Sequence, residues 1–347
     1  MVYIIIVNWN GWRDTIECLE SLFRLEGADY RVIVCDNGSK DNSLEYIKDW
    51  ATGDIKAEVN ESNPLRHLTS PPIFKPIPYV VYDRNLKRCG DNAVNHESRL
   101  VLIDIGDNLG FAGGCNVGLR YALSQDDLSF VWLLNNDTVV EPDALRYLAQ
   151  AASIRPKAGI CGSTLLHYDQ PEKVQALGGC SYNKWFGFCR SVGSGQSAAT
   201  LRKSKIKSKL DYIAGASMFV SKEFLDNTGL MCEEYFLYFE ELDWVCRGSD
   251  GFEYLYVPES IVYHKEGQST GGKNNRVFDK SRLSDYCFVR SKILVARKFF
   301  PYTLPTIYLG LLVTLINRVR RRQWDRVLGI LKLAAGNHSI ADMERNR

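Results

Sequence analysis

The chain has 347 residues, of which 45% are hydrophobic and 24% are charged, as in ordinary globular proteins, and its length allows one large domain or two smaller ones. The formal net charge is only +2, so the whole chain gives no indication of nucleic-acid binding. The 10 cysteines form no CxxC pair, which argues against a metal knuckle and favours a reducing cytosol.

Strand and helix signals alternate through the first 150 residues. Apolar runs predict strands at residues 3–7, 31–35, 100–105 and 130–134. Apolar residues at helical spacing predict the intervening helices, with Ile16, Leu19 and Leu22 in the first, Leu44, Ile47 and Trp50 in the second, and Ala144, Leu145 and Leu148 after Pro142. This alternation predicts an α/β fold with a mostly parallel sheet flanked by helices, in which ligands bind beyond the carboxyl ends of the strands.

The rest of the chain is less regular. Residues 55–98 are polar and Pro-rich, which predicts a long loop or insertion of unassigned role, and residues 181–209 read as a mobile connection. Later patterns predict a strand at 212–220, a helix at 237–247, and short strands at 252–257 and 261–263. From residue 286 onward the pattern is helical, amphipathic and basic.

The C-terminal region suggests an anionic partner. Five arginines lie close together there, namely Arg318, Arg320, Arg321, Arg322 and Arg326. The preceding residues 302–316 are apolar and aromatic, but they contain Pro305 and end at Asn317. We therefore expect no run long enough to span a membrane and interpret this segment as interfacial, with the arginines at anionic lipid.

A carboxylate follows the predicted strand at 130–134 in the sequence Asn135-Asn136-Asp137. An isolated Asp after a strand is often only a turn or helix-capping residue. Hard divalent cations, however, are commonly shared between one or two carboxylates and phosphate oxygens. Asp137 is therefore a candidate ligand for a cation that holds a diphosphate.

Six segments, in this order, together resemble family 2 glycosyltransferases of the GT-A fold: residues 7–11, 34–43, 108–118, 134–138, 236–243 and 262–270. The resemblance covers about residues 1–300, and it is closest to bacterial rhamnosyltransferases of cell-envelope polysaccharide assembly. It implies a nucleotide-sugar site made of Asn8, Trp9, Asn10, Asp36, Asn37, Asn108, Gly113, Gly114, Asn116, Asn135, Asn136 and Asp137. Gly113 and Gly114 would let backbone approach the donor.

The resemblance also implies a metal and a catalytic base. Asp137, with His264 as a second ligand, would hold Mn²⁺ or Mg²⁺. Family members usually place Glu-Asp at the 236–243 segment and use the Asp as base, whereas this chain has Glu240-Glu241. Glu241 is therefore the expected base and Glu240 the alternative, while Asp243 is expected to pair with Arg247 four residues later. Lys273 and Arg276 could clamp phosphates as a flexible lid, or belong to a solvated loop.

The implied function is inverting, metal-dependent transfer of a sugar, with L-rhamnose from dTDP-rhamnose as first choice and a UDP-sugar as alternative. The acceptor would be a glycan or a polyprenyl-diphosphate-linked sugar in cell-surface polysaccharide synthesis. We expect a transferase domain at 1–285, divided into a donor half (1–150) and an acceptor half (151–285), and a C-terminal region at 286–347. That region would keep the protein in the cytoplasm, peripheral to the inner face of the cell membrane.

Other function classes fit the sequence less well. An NAD-dependent oxidoreductase requires GxGxxG directly after the first strand, where this chain has Asn8-Trp-Asn-Gly-Trp-Arg13. A sugar nucleotidyltransferase would need a phosphate-binding loop rich in Gly and Arg or Lys at the same place. A non-catalytic nucleotide-sugar-binding protein of the same fold stays open, and the Glu at position 241 is its only support.

Overall fold

A sheet of 11 strands runs through the described residues of this computed structural model, which are 1–89, 98–201, 210–248, 251–265, 281–334 and 336. The first half contains β1 (Val2–Asn8), α1 (Trp12–Leu22), β2 (Tyr30–Asp36), α2 (Ser43–Thr52), β3 (Tyr79–Asp83), β4 (Arg88–Cys89), β5 (Leu100–Asp104), α3 (Gly110–Leu123), β6 (Phe130–Asn135), β7 (Thr138–Val140) and α4 (Ala144–Ile154). The second half contains β8 (Ala158–His167), β9 (Val174–Leu177), β10 (Gly179–Asn183), β11 (Phe188–Ser191), α5 (Ala198–Leu201), β12 (Tyr212–Ile213), β13 (Ser217–Ser221), α6 (Lys222–Thr228), α7 (Glu240–Arg247), β14 (Glu253–His264), α8 (Arg282–Phe299), α9 (Leu304–Arg320) and α10 (Trp324–Ala334).

The strand order in the large sheet is β4-β3-β5-β2-β1-β6-β13-β8-β14-β7, and β9 pairs with β8. The block β3-β5-β2-β1-β6 is parallel throughout. Alternate residues of β1 enter two different cores: Ile4 and Ile6 lie on the face covered by α1 and α2, and Tyr3 and Ile5 on the opposite face. Burial on both faces explains the continuous apolar run of this strand. The predicted α/β fold with a mostly parallel sheet is confirmed.

The proline-rich segment at 55–98 was predicted to be a long loop or insertion, and it contains two short strands. It contains β3, which pairs in parallel with β5, and β4, which forms the edge of the sheet. All five residues of β3 are half-buried, which is characteristic of a strand near a sheet edge rather than in a core. The surrounding prolines hid this short strand because they are strong turn signals.

Three boundaries in the second half differ from the prediction. The strand expected at 212–220 is broken into β12 and β13, and the two short strands expected at 252–263 form the single strand β14, irregular between Val257 and Ile261. Helix α7 begins only at Glu240 because Phe236, Tyr238 and Phe239 have positive φ angles of 61°, 70° and 69°, which no helix accommodates. The segment expected to be a mobile connection contains the antiparallel hairpin β10–β11, and its residues 202–209 lie outside the described part of the chain.

The last three helices pack on one another and on the rest of the chain. The Ser291 hydroxyl on α8 donates to the backbone oxygens of Tyr235 and Leu237, at 3.2 and 3.0 Å. Ile293 of α8, Leu311 of α9 and Leu333 of α10 belong to one buried cluster. Helix α8 therefore joins the C-terminal helices to the sheet-bearing part. The domain boundary at 285/286 stays a prediction.

The helix at residues Pro301–Arg320 is long and apolar enough, by length and composition alone, to cross a membrane, and 17% of its most apolar window is buried. The expectation that no segment of this kind exists is therefore wrong. The five arginines at and after the end of this helix have different surroundings. Arg318 and Arg326 approach Asp285 at 2.6 and 3.4 Å, whereas residues 320–322 are exposed.

Candidate active site

The carboxyl ends of β1, β2 and β6 meet at one edge of the sheet. Asn8 and Asp36 are direct partners across β1 and β2, and Asn135 at the end of β6 lies opposite Val7, one residue before Asn8. The Asn8 amide donates from Nδ2 to Asp36 Oδ2 at 2.7 Å. The ligand site was predicted beyond these strand ends, and the side chains of Asn8 and Asp36 meet there.

Asp36 is a buried carboxylate held on both sides. Its Oδ2 accepts from Asn8, and its Oδ1 accepts from the backbone N–H of Ser39 at 2.9 Å. Asn8 is fixed in turn, because Thr15 of α1 donates its hydroxyl to Asn8 Oδ1 at 2.8 Å. A carboxylate has about four acceptor positions, so Asp36 retains acceptor capacity for a further N–H. Its contact with a nucleotide base stays a prediction.

Asn10 joins the loops after β1 and β2. Its backbone N–H donates to Ser39 Oγ at 2.8 Å, and its side-chain oxygen accepts from the backbone N–H of Lys40 at 2.7 Å. The residue is exposed and has a left-handed φ of 51°. Trp9, half-buried, precedes it in the same loop. The loop that carries both residues is thus held in place without a ligand.

Asn37 and Asn108 form a second connection between loops. Asn37 Nδ2 donates to Asn108 Oδ1 and to the backbone oxygen of Gly110, both at 3.0 Å. Its Oδ1 accepts from the backbone N–H of Leu109 at 3.0 Å. Because the whole buried amide of Asn37 is used, the structure gives it a positioning role for the loop that opens α3.

Gly114 brings α3 close to strand β1, and Gly113 packs against Leu109 at the start of the same helix. A Cβ at Gly114 would lie 2.7 Å from Val7 Cγ1, and a Cβ at Gly113 would lie 2.6 Å from Leu109 Cβ. No side chain fits in those spaces. The missing side chains are therefore explained by protein packing, and close approach of this backbone to a nucleotide sugar stays a prediction.

Asn116 is directed at another part of the protein. Its Nδ2 donates to the backbone oxygen of Met231 and to Glu233 Oε1, at 2.9 and 2.8 Å, and its Oδ1 accepts from the backbone N–H of Met231 at 3.0 Å. The sequence interpretation grouped Asn116 with the donor site. In the structure its buried amide is fully used in holding residues 231–233 against α3.

Asp137 and His264 are in contact at the turn between β6 and β7. Asp137 Oδ1 lies 3.1 Å from His264 Nε2, and both side chains are largely buried. Their contact follows from the antiparallel pairing of β7 with β14, in which His264 is opposite Thr138. On the other side of the imidazole, Nδ1 lies 2.8 Å from Gln175 Oε1. Because an amide oxygen only accepts, Nδ1 carries the hydrogen and Nε2 faces Asp137.

The Asp137–His264 pair fits a divalent cation in its donor chemistry. Burial alone would raise the pKa of Asp137, but the charge and hydrogen bond of His264 and the charge of Lys265 outweigh it, so the pKa is lowered and the carboxylate is ionised. Two neighbouring ligands of an octahedral ion, each at about 2.1 Å, are about 3.0 Å apart, close to the observed contact. Within the described ranges there is no group of three or more His, Cys, Asp or Glu residues suited to a metal. A cation here would take its remaining ligands from diphosphate and water.

The two asparagines before Asp137 hold the turn in position. Asn135 Nδ2 lies 3.3 Å from His264 Nε2. Asn136 is buried, and its Nδ2 donates to Thr15 Oγ1 at 3.1 Å and to the backbone oxygen of Gly11 at 3.4 Å. The turn is thereby fastened to the start of α1.

Glu240 and Glu241 open α7 as adjacent acids, of which Glu240 is buried and Glu241 is half-buried. Burial raises the pKa of Glu241 to about 7, although backbone N–H donors, including that of Gly215, act in the opposite direction. Burial, followed by the charge of Glu241, holds the pKa of Glu240 far above its usual range. Glu240 Oε2 has no hydrogen-bond partner among the residues that the structure describes. Near neutral pH, Glu241 can exchange a proton while Glu240 stays protonated.

The backbone at Gly215 and Ala216 connects Glu241 with the Asp137 turn. Gly215 lies against the Glu241 carboxylate, and Ala216 accepts a hydrogen bond through its backbone oxygen from the N–H of Asn135 at 3.2 Å. The predicted base and the predicted metal ligand are therefore positioned by one short turn before β13.

Asp243, one turn further along α7, is structural. Its carboxylate is fully buried and accepts from Arg247 and Lys298, both at 2.6 Å, and from the Tyr235 hydroxyl at 3.1 Å. The expected pairing of Asp243 with Arg247 is confirmed.

Comparison with known proteins gives matches to two related family models. Residues 3–63 match the family described as glycosyl transferase family 2, and residues 88–282, more than half of the chain, match glycosyltransferase like family 2. The chain belongs to glycosyltransferase family 2. The resemblance to family 2 is confirmed at that level.

One relative of this family 2 transferase is the low-salt glycan biosynthesis hexosyltransferase Agl10 of Haloferax volcanii. It is 24% identical over 219 residues, which are 62% of this chain and 66%, just under two thirds, of that protein. Two solved structures share the fold. GalNAc-T7, solved with UDP, GalNAc and Mn²⁺, is 15% identical with a TM-score of 0.56 over 89% of this chain and 49% of its own. The mannosyltransferase PcManGT of Pyrobaculum calidifontis, solved with GDP-Man and Mn²⁺, is 11% identical with a TM-score of 0.50 over 97% and 86%. The predicted GT-A fold is confirmed.

Lys265, Asp14 and Glu17 surround the Asp137 turn of this transferase and were missed by sequence reasoning. The Lys265 ammonium contacts Asp14 Oδ1 and Glu17 Oε2 at 2.5 and 2.6 Å, and the Lys265 backbone N–H donates to the Asp137 backbone oxygen at 3.0 Å. The sequence signal that could have identified Lys265 is its place directly after His264. No sequence signal pointed to Gln175, because it lies 89 residues from His264 in the chain. Lys273 and Arg276 lie outside the described residues.

Proposed function

We propose that this family 2 transferase moves a sugar from a nucleotide-diphosphate donor to an acceptor hydroxyl, with inversion at the anomeric carbon. The observation that carries the proposal is the buried contact of 3.1 Å between Asp137 Oδ1 and His264 Nε2. An ionised carboxylate and an imidazole nitrogen, which gives up its proton when it becomes a metal ligand, suit Mn²⁺ and also Mg²⁺. Two structures of the same fold were solved with Mn²⁺ beside nucleotide ligands, which supports the assignment.

In the proposed reaction Glu241 is the general base. Its carboxylate takes the proton of the acceptor hydroxyl while that oxygen forms a bond to the anomeric carbon of the donor. The bond between the anomeric carbon and the diphosphate oxygen breaks, and the nucleoside diphosphate leaves. Charge stabilisation on the leaving diphosphate is the chemistry that a cation held by Asp137 and His264 supplies. A pKa of about 7 suits Glu241 for this role, since a base works best near the operating pH.

Rhamnose from dTDP-rhamnose is the proposed donor, with UDP-sugars as the alternative. The motif resemblance supports rhamnose, and the hexosyltransferase named among the relatives supports a hexose in general. The proposed acceptor is a glycan or a lipid-linked sugar. We place the transferase in the cytoplasm, at the inner face of the cell membrane, because α9 is apolar and followed by exposed arginines.

The test is a thermal-shift panel of dTDP, UDP, GDP and CDP, each with and without Mn²⁺. Ligand that binds only folded protein raises the melting temperature by mass action. We expect a Mn²⁺-dependent shift with dTDP or UDP, absent in Asp137→Asn and retained in Asp226→Asn, whose exposed carboxylate on α6 pairs with Lys222. Gln175→Leu should weaken apparent Mn²⁺ affinity by about 10- to 100-fold because it removes the partner that orients His264.

Either of two results would contradict this function. The first is no shift with any nucleotide in Mn²⁺. The second is an equal shift in Asp137→Asn and the parent protein. A nucleotide shift in a protein that transfers no sugar would instead support the non-catalytic binding protein of the same fold.

A further inference from the structure

The turn between β10 and β11 exposes three large aromatic side chains. Trp185, Phe186 and Phe188 are 47%, 45% and 59% exposed, and the rings of Phe186 and Phe188 stack at a centroid distance of 6.5 Å. Soluble proteins rarely expose a contiguous apolar patch without using it. We name these three residues the aromatic tip.

The aromatic tip is seated on the start of α9. The Trp185 ring meets the exposed Tyr302 ring edge-on at 5.7 Å, and the Thr306 hydroxyl donates to the Trp185 backbone oxygen. Lys184 lies 5.5 Å above the Tyr302 ring. The tip therefore has a fixed position relative to the C-terminal helices.

From Tyr302 an exposed apolar stripe continues along α9. Its further members recur every three or four residues and thus share one helix face: Leu309, Leu312, Val313, Ile316 and Val319. The opposite face carries the buried Ile307 and Leu311. Helix α10 adds the exposed Trp324, Leu328 and Leu331, again at helical spacing. The aromatic tip and the two helices together present an extended apolar surface.

The charge along the α9 part of this surface has one sign, and the acid beside Trp324 on α10, Asp325, pairs with Arg282 at 3.5 Å. The sequence from Pro301 to Gln323 contains no Asp or Glu, and Arg320, Arg321 and Arg322 are exposed where α9 ends. Apolar and aromatic side chains next to arginines are the composition of segments that lie in the interface of an anionic bilayer. Charge therefore favours a lipid surface over an uncharged protein partner.

The same hairpin reaches the residue before the two glutamates of α7. The Tyr182 ring on β10 contacts the Phe239 ring edge-on at 6.0 Å, and Phe239 directly precedes Glu240 and Glu241. Helix α7 packs against β12, the other neighbour of β10. Tyr182 lies only three residues before Trp185, so the turn end of the hairpin lies beside the residue that precedes the glutamates and also carries the aromatic tip.

We propose that the aromatic tip is a second membrane contact, which enters the interface of an anionic bilayer together with the apolar stripe of α9. This contact seats the transferase with the Glu241 side of its site towards the lipid. We assign this orientation to the delivery of a lipid-linked acceptor, and that assignment rests on the proposed function. It goes beyond membrane binding by the basic C-terminus, because it assigns a lipid contact to the acceptor half of the fold.

The first test is co-sedimentation with vesicles of phosphatidylcholine and phosphatidylglycerol at 7:3, compared with pure phosphatidylcholine. The variant Trp185→Ser/Phe186→Ser/Phe188→Ser should bind the anionic vesicles at least about tenfold more weakly than the parent protein. The matched control is Phe74→Ser/Ile154→Ser, which removes apolar side chains that are 92% and 70% exposed elsewhere. The control should bind as the parent does. Equal binding of the triple variant and the parent would overturn the proposal.

The second test locates Trp185 directly. Lipids brominated in their acyl chains quench tryptophan that enters the bilayer, so quenching should be weaker in Trp185→Phe than in the parent. Equal quenching would show that Trp185 stays outside the lipid and would overturn the proposal. Concentration-dependent dimers without vesicle binding would also overturn it and make the surface an interface between copies. Nucleotide thermal shifts in the same variants report on the donor site, so failure of the proposed function is separately visible.

Discussion

The Glu241 carboxylate fills the space that a side chain at Gly215 would need. A Cβ on residue 215 would lie 2.1 Å from Glu241 Oε1, far inside contact distance. The absent side chain thus makes room for the carboxylate, and the Gly215 backbone N–H supports its ionised form. The turn at Gly215 and the start of α7 meet here. In the proposed reaction the Glu241 carboxylate at this place takes the proton of the acceptor.

Gly215→Ala should therefore damage catalysis more than folding. The added methyl group displaces only the end of a side chain, but misplacing a catalytic group by about 1 Å can cost about 100-fold in rate. We expect kcat to fall by about that factor, while melting temperature and nucleotide binding change little. The measurement is transfer of labelled sugar from the donor selected by the binding panel. Gly310→Ala, where a Cβ meets nothing within 4 Å, is the control and should keep full activity.

The two glutamates of α7 should respond differently to the same substitution. Glu241→Gln removes the proposed base and should lower transfer by at least about 100-fold, with nucleotide binding retained. Glu240 is already protonated near neutral pH, so the neutral Glu240→Gln is nearly isosteric and should keep activity within about threefold. Unchanged turnover in Glu241→Gln, or loss only in Glu240→Gln, would assign the base to another residue.

The pH dependence of transfer should follow Glu241. Burial raises the pKa of this carboxyl to about 7, and the base must be ionised, so kcat should rise with pH and level off above about 7. Glu241→Asp should move the midpoint of this rise or lower the plateau. A profile that is flat between pH 5 and pH 8 in the parent protein would contradict the assignment.

Asp243 should matter for stability. It is fully buried and balances Arg247 and Lys298, both at 2.6 Å, so Asp243→Ala should lower the free energy of unfolding by about 3 kcal/mol. Asp226→Ala removes an exposed partner of Lys222 and should cost less than about 0.5 kcal/mol. Urea unfolding of both variants makes the comparison. Equal losses would mean that the buried pair contributes no more than a surface pair.

The strand ends of the site were predictable because parallel strands place their carboxyl ends at one edge. Asn8, Asp36 and Asn135 each end a strand of the parallel block, so their place at this edge follows from the parallel arrangement. The pairing of Asp243 with Arg247 was predictable for a similar reason, since residues four apart face each other on a helix.

Contacts between distant segments were not predictable in this way. The Gln175 bond to His264 spans 89 residues, and the fully used amide of Asn116 contacts a segment 115 residues away. Polar side chains of the same type bind ligands in one place and brace loops in another, and only the neighbours distinguish the two. Strand β3 was missed because the turn signals around it are stronger than its own short pattern.

The buried cluster shared by α8, α9 and α10 has a practical consequence for anyone who wishes to handle this protein without detergent. Cutting the chain before residue 301 would strip cover from Tyr286, Val289 and Ile293, and would leave Asp285 without Arg318 and Arg326. Truncation would thus replace one exposed apolar surface by another and would leave the buried Asp285 without its basic partners. Polar replacements on the outer stripe, at Leu309, Leu312 and Ile316, preserve the inner contacts and are the better route to a well-behaved sample.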